Sequence, residues 1–475
     1  MPHRHAVLVV LLGVSSLPFL SRGALPEVCE PGFTPGPQFQ VGLNLGSSAL
    51  ADLDGDSDLD LTTAATVLFG NGDGTFSEPF PISSAPSAEY LFDVVPEDFD
   101  GDELLDLALA SFVDDTAFLV AFGRSGAVPP ELPFEEPVRY PLPEVIWHIA
   151  SADFNGDGLP DLVGVTPTAS IPGPGGSLAL VLNRGGRLFD ATWVGPIGFA
   201  GHVLTVGDFD GDGVMDVAYG AESFARLIFG NGDGTFRADL QTFLRTTDGL
   251  VSAHRFRSAD LDRDGRDDLV AVTDSCVLVD LGRDIDTWEG LPYWPSLVLP
   301  LAGTGRFLDI VDLNRDAYLD FAVQAAAETA VLQVFYGTSP EGDAAVAFMA
   351  GSPLATDLPN TASVLATGDV NGDGAPDMVL TTEGTPDLGQ VFLNDRTCRS
   401  PATAISGDAN SDGELDLSDA IAILGYLFLG TALACPGAAE VNGDASLDMS
   451  DSLFLLAHLF RGGDPPADPP VRVCR

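Results

Sequence analysis

Nine residues, Asp208-Phe209-Asp210-Gly211-Asp212-Gly213-Val214-Met215-Asp216, place carboxylates at positions 1, 3, 5 and 9 of a short loop. Oxygen donors at that spacing can wrap one hard cation, and Ca²⁺ takes about six to eight of them. Gly213 at position 6 permits a sharp turn, and Val214 at position 7 offers a backbone carbonyl. The apolar residues on either side, Val203 to Val206 and Val217 to Tyr219, read as strands, so the loop joins two strands rather than two helices.

The arrangement occurs seven times. The candidate metal ligands are Asp52, Asp54, Asp56 and Asp60; Asp98, Asp100, Asp102 and Asp106; Asp153, Asn155, Asp157 and Asp161; Asp208, Asp210, Asp212 and Asp216. They continue with Asp260, Asp262, Asp264 and Asp268; Asp312, Asn314, Asp316 and Asp320; Asp369, Asn371, Asp373 and Asp377. The loops recur at a period of about 50 residues, and self-similarity at such a period signals a repeat architecture. Two copies depart at position 6, where Glu103 and Ala317 replace glycine.

Each unit follows one plan. A short strand enters the loop (Ile149 to Ala152), a second leaves it (Leu162 to Val165), a third apolar run follows (Leu180 to Leu182), and a turn ends it. Two of these turns are identical, Gly70-Asn71-Gly72-Asp73-Gly74-Thr75-Phe76 and Gly230-Asn231-Gly232-Asp233-Gly234-Thr235-Phe236. Asn-Gly and Asp-Gly supply the positive φ angles of tight hairpins. Neither turn has the lysine and following helix of a phosphate-cradling loop. Four short strands in about 50 residues make a propeller blade, and seven blades in a ring bury their faces on one another. Residues four positions before the first Asp, namely Val94, Ile149, Leu204, Phe256, Leu308 and Leu365, are the expected contacts between blades.

These repeats resemble the FG-GAP/VCBS family, whose members form β-propellers, among them the propeller of integrin α chains. The resemblance covers roughly residues 30–397. It implies that the acidic loops bind Ca²⁺, up to seven ions, on the face opposite the usual ligand-binding face.

After a linker, 398–406, the pattern changes. Asp408, Asn410, Asp412, Asp416 and Asp419 stand at positions 1, 3, 5, 9 and 12 of a twelve-residue loop. An acid at position 12 marks an EF-hand-type loop. A helix is predicted from Ala420 to Leu429. A second copy, with Glu440, Asn442, Asp444, Asp448 and Asp451, follows closely and precedes a predicted helix from Ser452 to Phe460. Glu440 replaces Asp at position 1 and Ala445 replaces the glycine, so one or two ions are expected here. The pair resembles a type I dockerin, a module that binds cohesin domains and plugs secreted proteins into extracellular assemblies. That resemblance covers residues 407–475. It assigns partner contact to loop positions 10 and 11, here Leu417 and Ser418, and Met449 and Ser450. Of Tyr426, Phe428, Phe454 and Phe460, some are expected to pack the two helices together, and any left over would form an apolar patch suited to a protein partner.

The formal charge is −49, and almost half of the 70 acids lie at these ligand positions. Charge concentrated at metal spacing argues for cations and against nucleic acid, which needs far more than 21 Lys and Arg. Arg4, an apolar run from Ala6 to Leu20 and Ser21-Arg22-Gly23 read as a signal peptide over residues 1–23. The mature chain is therefore expected to be secreted, or held at a cell surface through a partner, with no membrane insertion after cleavage. In such a chain, disulfides are the default for its five cysteines. Cys29 with Cys398, at the two ends of the array, and Cys435 with Cys474 are the expected pairs, leaving Cys276 as a buried thiol.

No catalytic motif is present: no Gly-x-Ser-x-Gly elbow, no His-Glu-x-x-His and no nucleophilic cysteine with a local signature. Trp147, His202, His254 and Arg306 each lie six residues before a loop, with His148 adjacent. If the entering strands line the channel, these residues meet at its far mouth, where a sugar or a carboxylate could bind. The expected molecule is mainly β, a seven-bladed β-propeller with a small α-helical EF-hand-like (dockerin) C-terminal domain. Its expected role is that of a calcium-binding recognition or scaffold protein, with a cohesin-like domain or another extracellular protein as partner and a glycan as a second ligand class. A polysaccharide hydrolase or lyase carried on the propeller, and a structural calcium-dependent spacer, are the alternatives.

Overall fold

The computed structural model describes residues 30–399 with interruptions, the longest at 83–90, 167–176 and 283–296. In the C-terminal part it describes 409, 415, 417–429, 441–442, 447 and 449–461. The leader and three of the cysteines, Cys29, Cys435 and Cys474, lie outside the described residues.

Seven antiparallel sheets, each of at least four strands, follow one another along the chain. Their innermost strands are Ser48–Ala51, Leu91–Glu97, His148–Ala152, Val203–Gly207, Ala253–Ala259, Thr304–Val311 and Ser363–Gly368. Each innermost strand touches the next, and the seventh touches the first, so the sheets close as seven blades around an axis. The predicted propeller is thus the observed architecture. The strands are short and apolar because each sheet is covered on both faces by its neighbours.

One apolar cluster fills each of the seven spaces between blades. The six residues assigned to blade contact all lie in these clusters, from Phe256 at 0% exposed to Leu204 at 9%. Each packs with the second residue of the preceding acidic loop, as Ile149 does with Phe99 and Leu204 with Phe154. Cys276 is a free thiol in the cluster between blades 4 and 5.

The last blade is completed from the other end of the chain. Its three strands Ser363–Gly368, Asp377–Thr382 and Leu388–Arg399 take Glu30–Gln40 as their outer strand, with Pro31 opposite Cys398 and Gln40 opposite Leu388. The ends of the array therefore meet, as the Cys29–Cys398 pairing assumed, and the ring is shut by a strand rather than by packing alone.

At the C-terminus, α1 (Leu417–Leu429) packs on α2 (Met449–Arg461) around Ala420, Ile423 and Leu455. Both helices begin three residues before the predicted starts. Position 12 of each loop, Asp419 and Asp451, thereby lies in the first helical turn, where a carboxylate is favoured by the helix dipole. Among the described residues no helix is long and apolar enough to cross a membrane.

Deleting residues 30–40 should expose an unpaired edge on blade 7 and remove Phe33 from the cluster it shares with Leu313 and Leu365. Calorimetry and size-exclusion chromatography are expected to show a melting point lower by 10 °C or more, on the order of several kcal/mol, together with self-association. A truncated chain that melts like the full one and stays monodisperse would show that the strand does not hold the ring.

Candidate metal loops and the opposite mouth

Every acidic loop is the tip of the hairpin between the first and second strands of a blade. In all seven, the residue before position 1 is paired with the Asp at position 9, as Ala51 with Asp60 and Gly207 with Asp216. The loop then turns twice through left-handed backbone. Position 6 has φ between 71° and 87° in every copy, including Ser57, Glu103 and Ala317. Ser57 is thus a third departure from glycine, beyond the two read from the sequence. Position 4 is also left-handed, with glycine in five copies and Arg263 and Arg315 in the other two. Each non-glycine residue there carries a cost of about 1–2 kcal/mol.

The carboxylate at position 1 makes these turns. Asp208 accepts hydrogen bonds from the backbone N–H of Gly211, Asp212 and Gly213 at 2.8, 3.1 and 2.8 Å. Position 5 accepts the N–H of position 7, as Asp212 does from Val214 at 2.9 Å. The Asp at position 9 is almost wholly buried and uses both oxygens. Asp60 accepts from the N–H of Leu53 at 2.8 Å and of Gly70 at 2.8 Å. Asp106, Asp161, Asp216, Asp268, Asp320 and Asp377 repeat both bonds.

In four loops the carboxylates at positions 1, 3 and 9 converge, with one oxygen from each within 4.8 Å of the others: Asp52, Asp54 and Asp60; Asp98, Asp100 and Asp106; Asp208, Asp210 and Asp216; Asp260, Asp262 and Asp268. Position 5 stands outside each of these clusters. The other three loops have Asn at position 3, so their acids alone make no such trio. The amide oxygens of Asn155, Asn314 and Asn371 accept the N–H of position 5, as the carboxylates of Asp54, Asp210 and Asp262 do in their loops. Oxygen-only clusters of this size suit a hard cation, and every bonded carboxylate oxygen retains a second lone pair.

Arginines reach several of the loops. Arg237 donates to Asp210 and, at 2.7 Å, to Asp212. Arg187 donates to Asp100 at 2.7 Å, Arg266 to Asp264 at 2.9 Å and Arg396 to Asp373 at 2.7 Å. Among the described residues, the loops of blades 1 and 3 receive no guanidinium.

Burial sets the protonation of the ninth-position acids. Desolvation pushes Asp60, Asp216 and Asp268 up to about 7, Asp320 up to about 8, and Asp106, Asp161 and Asp377 up to about 6, against the pull of their two N–H donors. At position 3, Asp54, Asp210 and Asp262 are also raised, first by desolvation and then by the neighbouring carboxylate at position 5.

The residues assigned to the far mouth fall into two groups. His148 lies 3.3 Å from Asp93 through Nδ1, across blades 3 and 2. His254 reaches Asp274 through Nε2 at 2.8 Å, and Arg306 donates to its Nδ1 at 3.5 Å, across blades 6 and 5. The Trp147 backbone N–H bonds Val165. His202 lies outside the described residues. Sequence reading passed over Arg255, one position nearer the loop than His254; its signal was the alternation of the strand, in which Phe256 faces the core.

In the C-terminal pair, Asp408, Asn410, Asp412, Asp416, Glu440, Asp444 and Asp448 lie outside the described residues, so only Asp419, Asn442 and Asp451 can be placed. Asp451 is buried and accepts the N–H of Val441 at 3.0 Å. The Asn442 side chain donates to Ser450 at 2.6 Å. Leu417 and Met449 are exposed, as expected for partner contact, and so are Ile421 and Leu453 one helical turn on. Of the four aromatics divided between helix packing and a left-over patch, Phe454 packs against the helix–helix core and Phe460 is exposed. The side chains of Tyr426 and Phe428 lie outside the described residues.

Residues 153–219 and 208–271 match the model of the FG-GAP-like repeat, about a quarter of the chain. No curated protein matches. Among solved structures, the chain is similar to BBS1N in its complex with ARL6DN, with a TM-score of 0.52 and 12% identity over 78% of this chain and 99% of that one. It is also similar to an Agrocybe aegerita lectin described as recognising non-reducing terminal N-acetylglucosamine, with a TM-score of 0.48 and 17% identity over 74% of this chain and 95% of that one. The BBS1N likeness is one of fold, and the molecule is a seven-bladed β-propeller carrying FG-GAP-like repeats.

The buried acids give the metal-free chain a defined pH dependence. Their folded-state values lie above the ordinary 3.8, so the stability they contribute is full below that value and is lost as the pH rises through about 6 to 8. In chelator, the melting temperature is expected to fall by several degrees between about pH 5 and about pH 8. A metal-free melting point that rises over this interval would refute the assignment.

Proposed function

We propose that this chain is a secreted, calcium-dependent recognition and scaffold protein. Its propeller binds a glycan or protein ligand, and its C-terminal helix pair docks it to an extracellular assembly. The observation that carries the reading is the convergence of carboxylates from positions 1, 3 and 9 in four successive or near-successive blades. Clusters of this kind repel themselves when empty, and calcium at each would supply the charge that the chain's 21 Lys and Arg cannot. The propeller residues would supply carboxylate oxygens at positions 1, 3 and 9, and the acid at position 5 would join after a side-chain rotation. Loop 1, with a converged trio and no competing guanidinium among the described residues, is the tightest site in this reading.

The docking half rests on the helix pair. Leu417 and Ile421 on α1 and Met449 and Leu453 on α2 occupy equivalent positions in the two copies, and all four are exposed. Two apolar faces related in this way fit a cohesin-like domain, and either could face it.

Two experiments test these halves. Calorimetry of the full chain in calcium and in EGTA should show a large loss of melting temperature on chelation. A site occupied at a hundredfold over its Kd adds about 2.7 kcal/mol, and an unchanged melt would sink the calcium reading. For docking, candidate cohesin-like domains are titrated against the full chain. Leu417→Asp with Ile421→Asp, or Met449→Asp with Leu453→Asp, should leave binding within a few-fold, and all four together should abolish it. Binding that survives the fourfold change, or persists in EGTA, would show attachment of another kind.

A further inference from the structure

The innermost strands bring charged side chains towards the axis at two levels, five and three residues before the acidic loops. Most of these groups are already partnered. Asp93 accepts the backbone N–H of Ile149 at 3.1 Å and faces His148 at 3.3 Å. Asp309 accepts the N–H and hydroxyl of Thr367 at 3.1 and 2.7 Å, and Arg257 stands 3.6 Å away.

Arg255 is the exception. Among the described residues it makes no ion pair or hydrogen bond, and its Nε is shut off from solvent without an acceptor. One face of the guanidinium lies over the Phe307 ring of the next blade, 5.2 Å from its centre. Arg255 belongs to blade 5 and Asp93 to blade 2, with blades 3 and 4 between them along the ring. Asp93 opposes the depression of the Arg255 protonation equilibrium, and Arg255 helps to lower that of Asp93. Desolvation and the adjacent Arg257 push Arg255 down to about 10, against the attraction of Asp93 and Asp309. The group remains charged at neutral pH.

A guanidinium presents five N–H donors in a planar fork that matches a carboxylate through two parallel bonds. The cation–π contact with Phe307 restricts where the guanidinium sits. The guanidinium lacks a hydrogen-bonded acceptor among the described residues, and one brought in from outside would meet its terminal nitrogens. Locally, Arg255 and Arg257 balance Asp93 and Asp309, so an incoming anion meets no net negative charge here despite the −49 of the whole chain.

We infer that the axis of the propeller holds the carboxylate group of a small acid or of a uronic acid residue, gripped by Arg255. Entry is at the end opposite the acidic loops, past the exposed Arg306 and its partner His254. This rests on the reading of the propeller as a ligand-binding module and adds the class of ligand and the residue that selects it.

The test uses the full chain saturated with calcium and titrated by calorimetry with acetate, glucuronate and glucose, each also scored by its effect on the melting temperature. Glucuronate is expected to bind and stabilise, and glucose to do neither. Equal affinity for acetate and glucuronate would show that the carboxylate alone is held; a preference for glucuronate would show that the sugar ring is held too; binding of acetate alone would restrict the site to small free acids. Arg255→Gln should weaken binding at least tenfold. Arg255→Lys, which keeps the charge and loses the fork, should weaken it less and serves if the glutamine variant does not fold. No binding of either carboxylate by the wild-type chain, or binding unchanged in both variants, would overturn the inference. A chain that takes calcium and neutral glycans but neither carboxylate would leave the recognition reading intact and remove this site alone.

Discussion

The buried carboxylate at position 9 of each loop is the constraint on which the rest of the structure leans. With one oxygen it takes the N–H of the second loop residue, and with the other the N–H at the end of the third strand, so it ties three strands together at one end of the blade. Both donors are buried, and a buried N–H left without an acceptor costs about 1–3 kcal/mol. The raised protonation equilibria of these acids measure what it costs to keep them there. The same residue is the innermost member of each acidic cluster. Fold and candidate site therefore cannot be separated at this position.

The second loop residue carries the constraint from blade to blade. Its N–H goes to the buried Asp, its side chain fills the cluster against the next blade, and its carbonyl often accepts a bond from that blade. Phe99 accepts from the Asn183 side chain at 2.7 Å, Phe154 from the Gly234 N–H at 3.0 Å, Leu313 from the Asn394 side chain at 2.8 Å and Val370 from the Gly74 N–H at 3.0 Å. Between blades 4 and 5 the neighbouring carbonyl of Asp208 does this, accepting from Asp267 at 2.8 Å. A change in the shape of one loop is thus felt by its neighbour, and the strand 30–40 returns the last link to the array's own N-terminal end.

The two ends of the propeller differ in chemistry. At the loop end, carboxylates outnumber the arginines that reach them, and the surplus is suited to cations. Among the described residues of the innermost strands, the charges are mostly matched, and Arg255 is a cation without a hydrogen-bonded acceptor. The proposed cation sites and the proposed carboxylate site can coexist in so acidic a chain because apolar blade interfaces and distance separate them.

The amino-acid sequence alone determined what depends on local spacing. The seven loops, the strands on either side of them, the hairpin turns at Gly70 and Gly230 and the inter-blade residue four positions before six of the loops follow from periodicity, and each is found in the fold. The left-handed backbone at Arg263 and Arg315 was not legible, since neither side chain advertises it; the hydrogen bonds of the surrounding loop impose it. The pairing of Glu30–Gln40 with Leu388–Arg399 joins the two opposite ends of the array and has no local pattern to announce it. His148 and the pair of His254 and Arg306 fall in two separate groups, because contacts across a ring depend on which blades are neighbours. Arg255 reads as an ordinary strand arginine. Only closure of the ring sets it beside Phe307 of the next blade and in the field of Asp93, because a side chain's electrostatic surroundings are set by the blades it meets and not by the residues it follows.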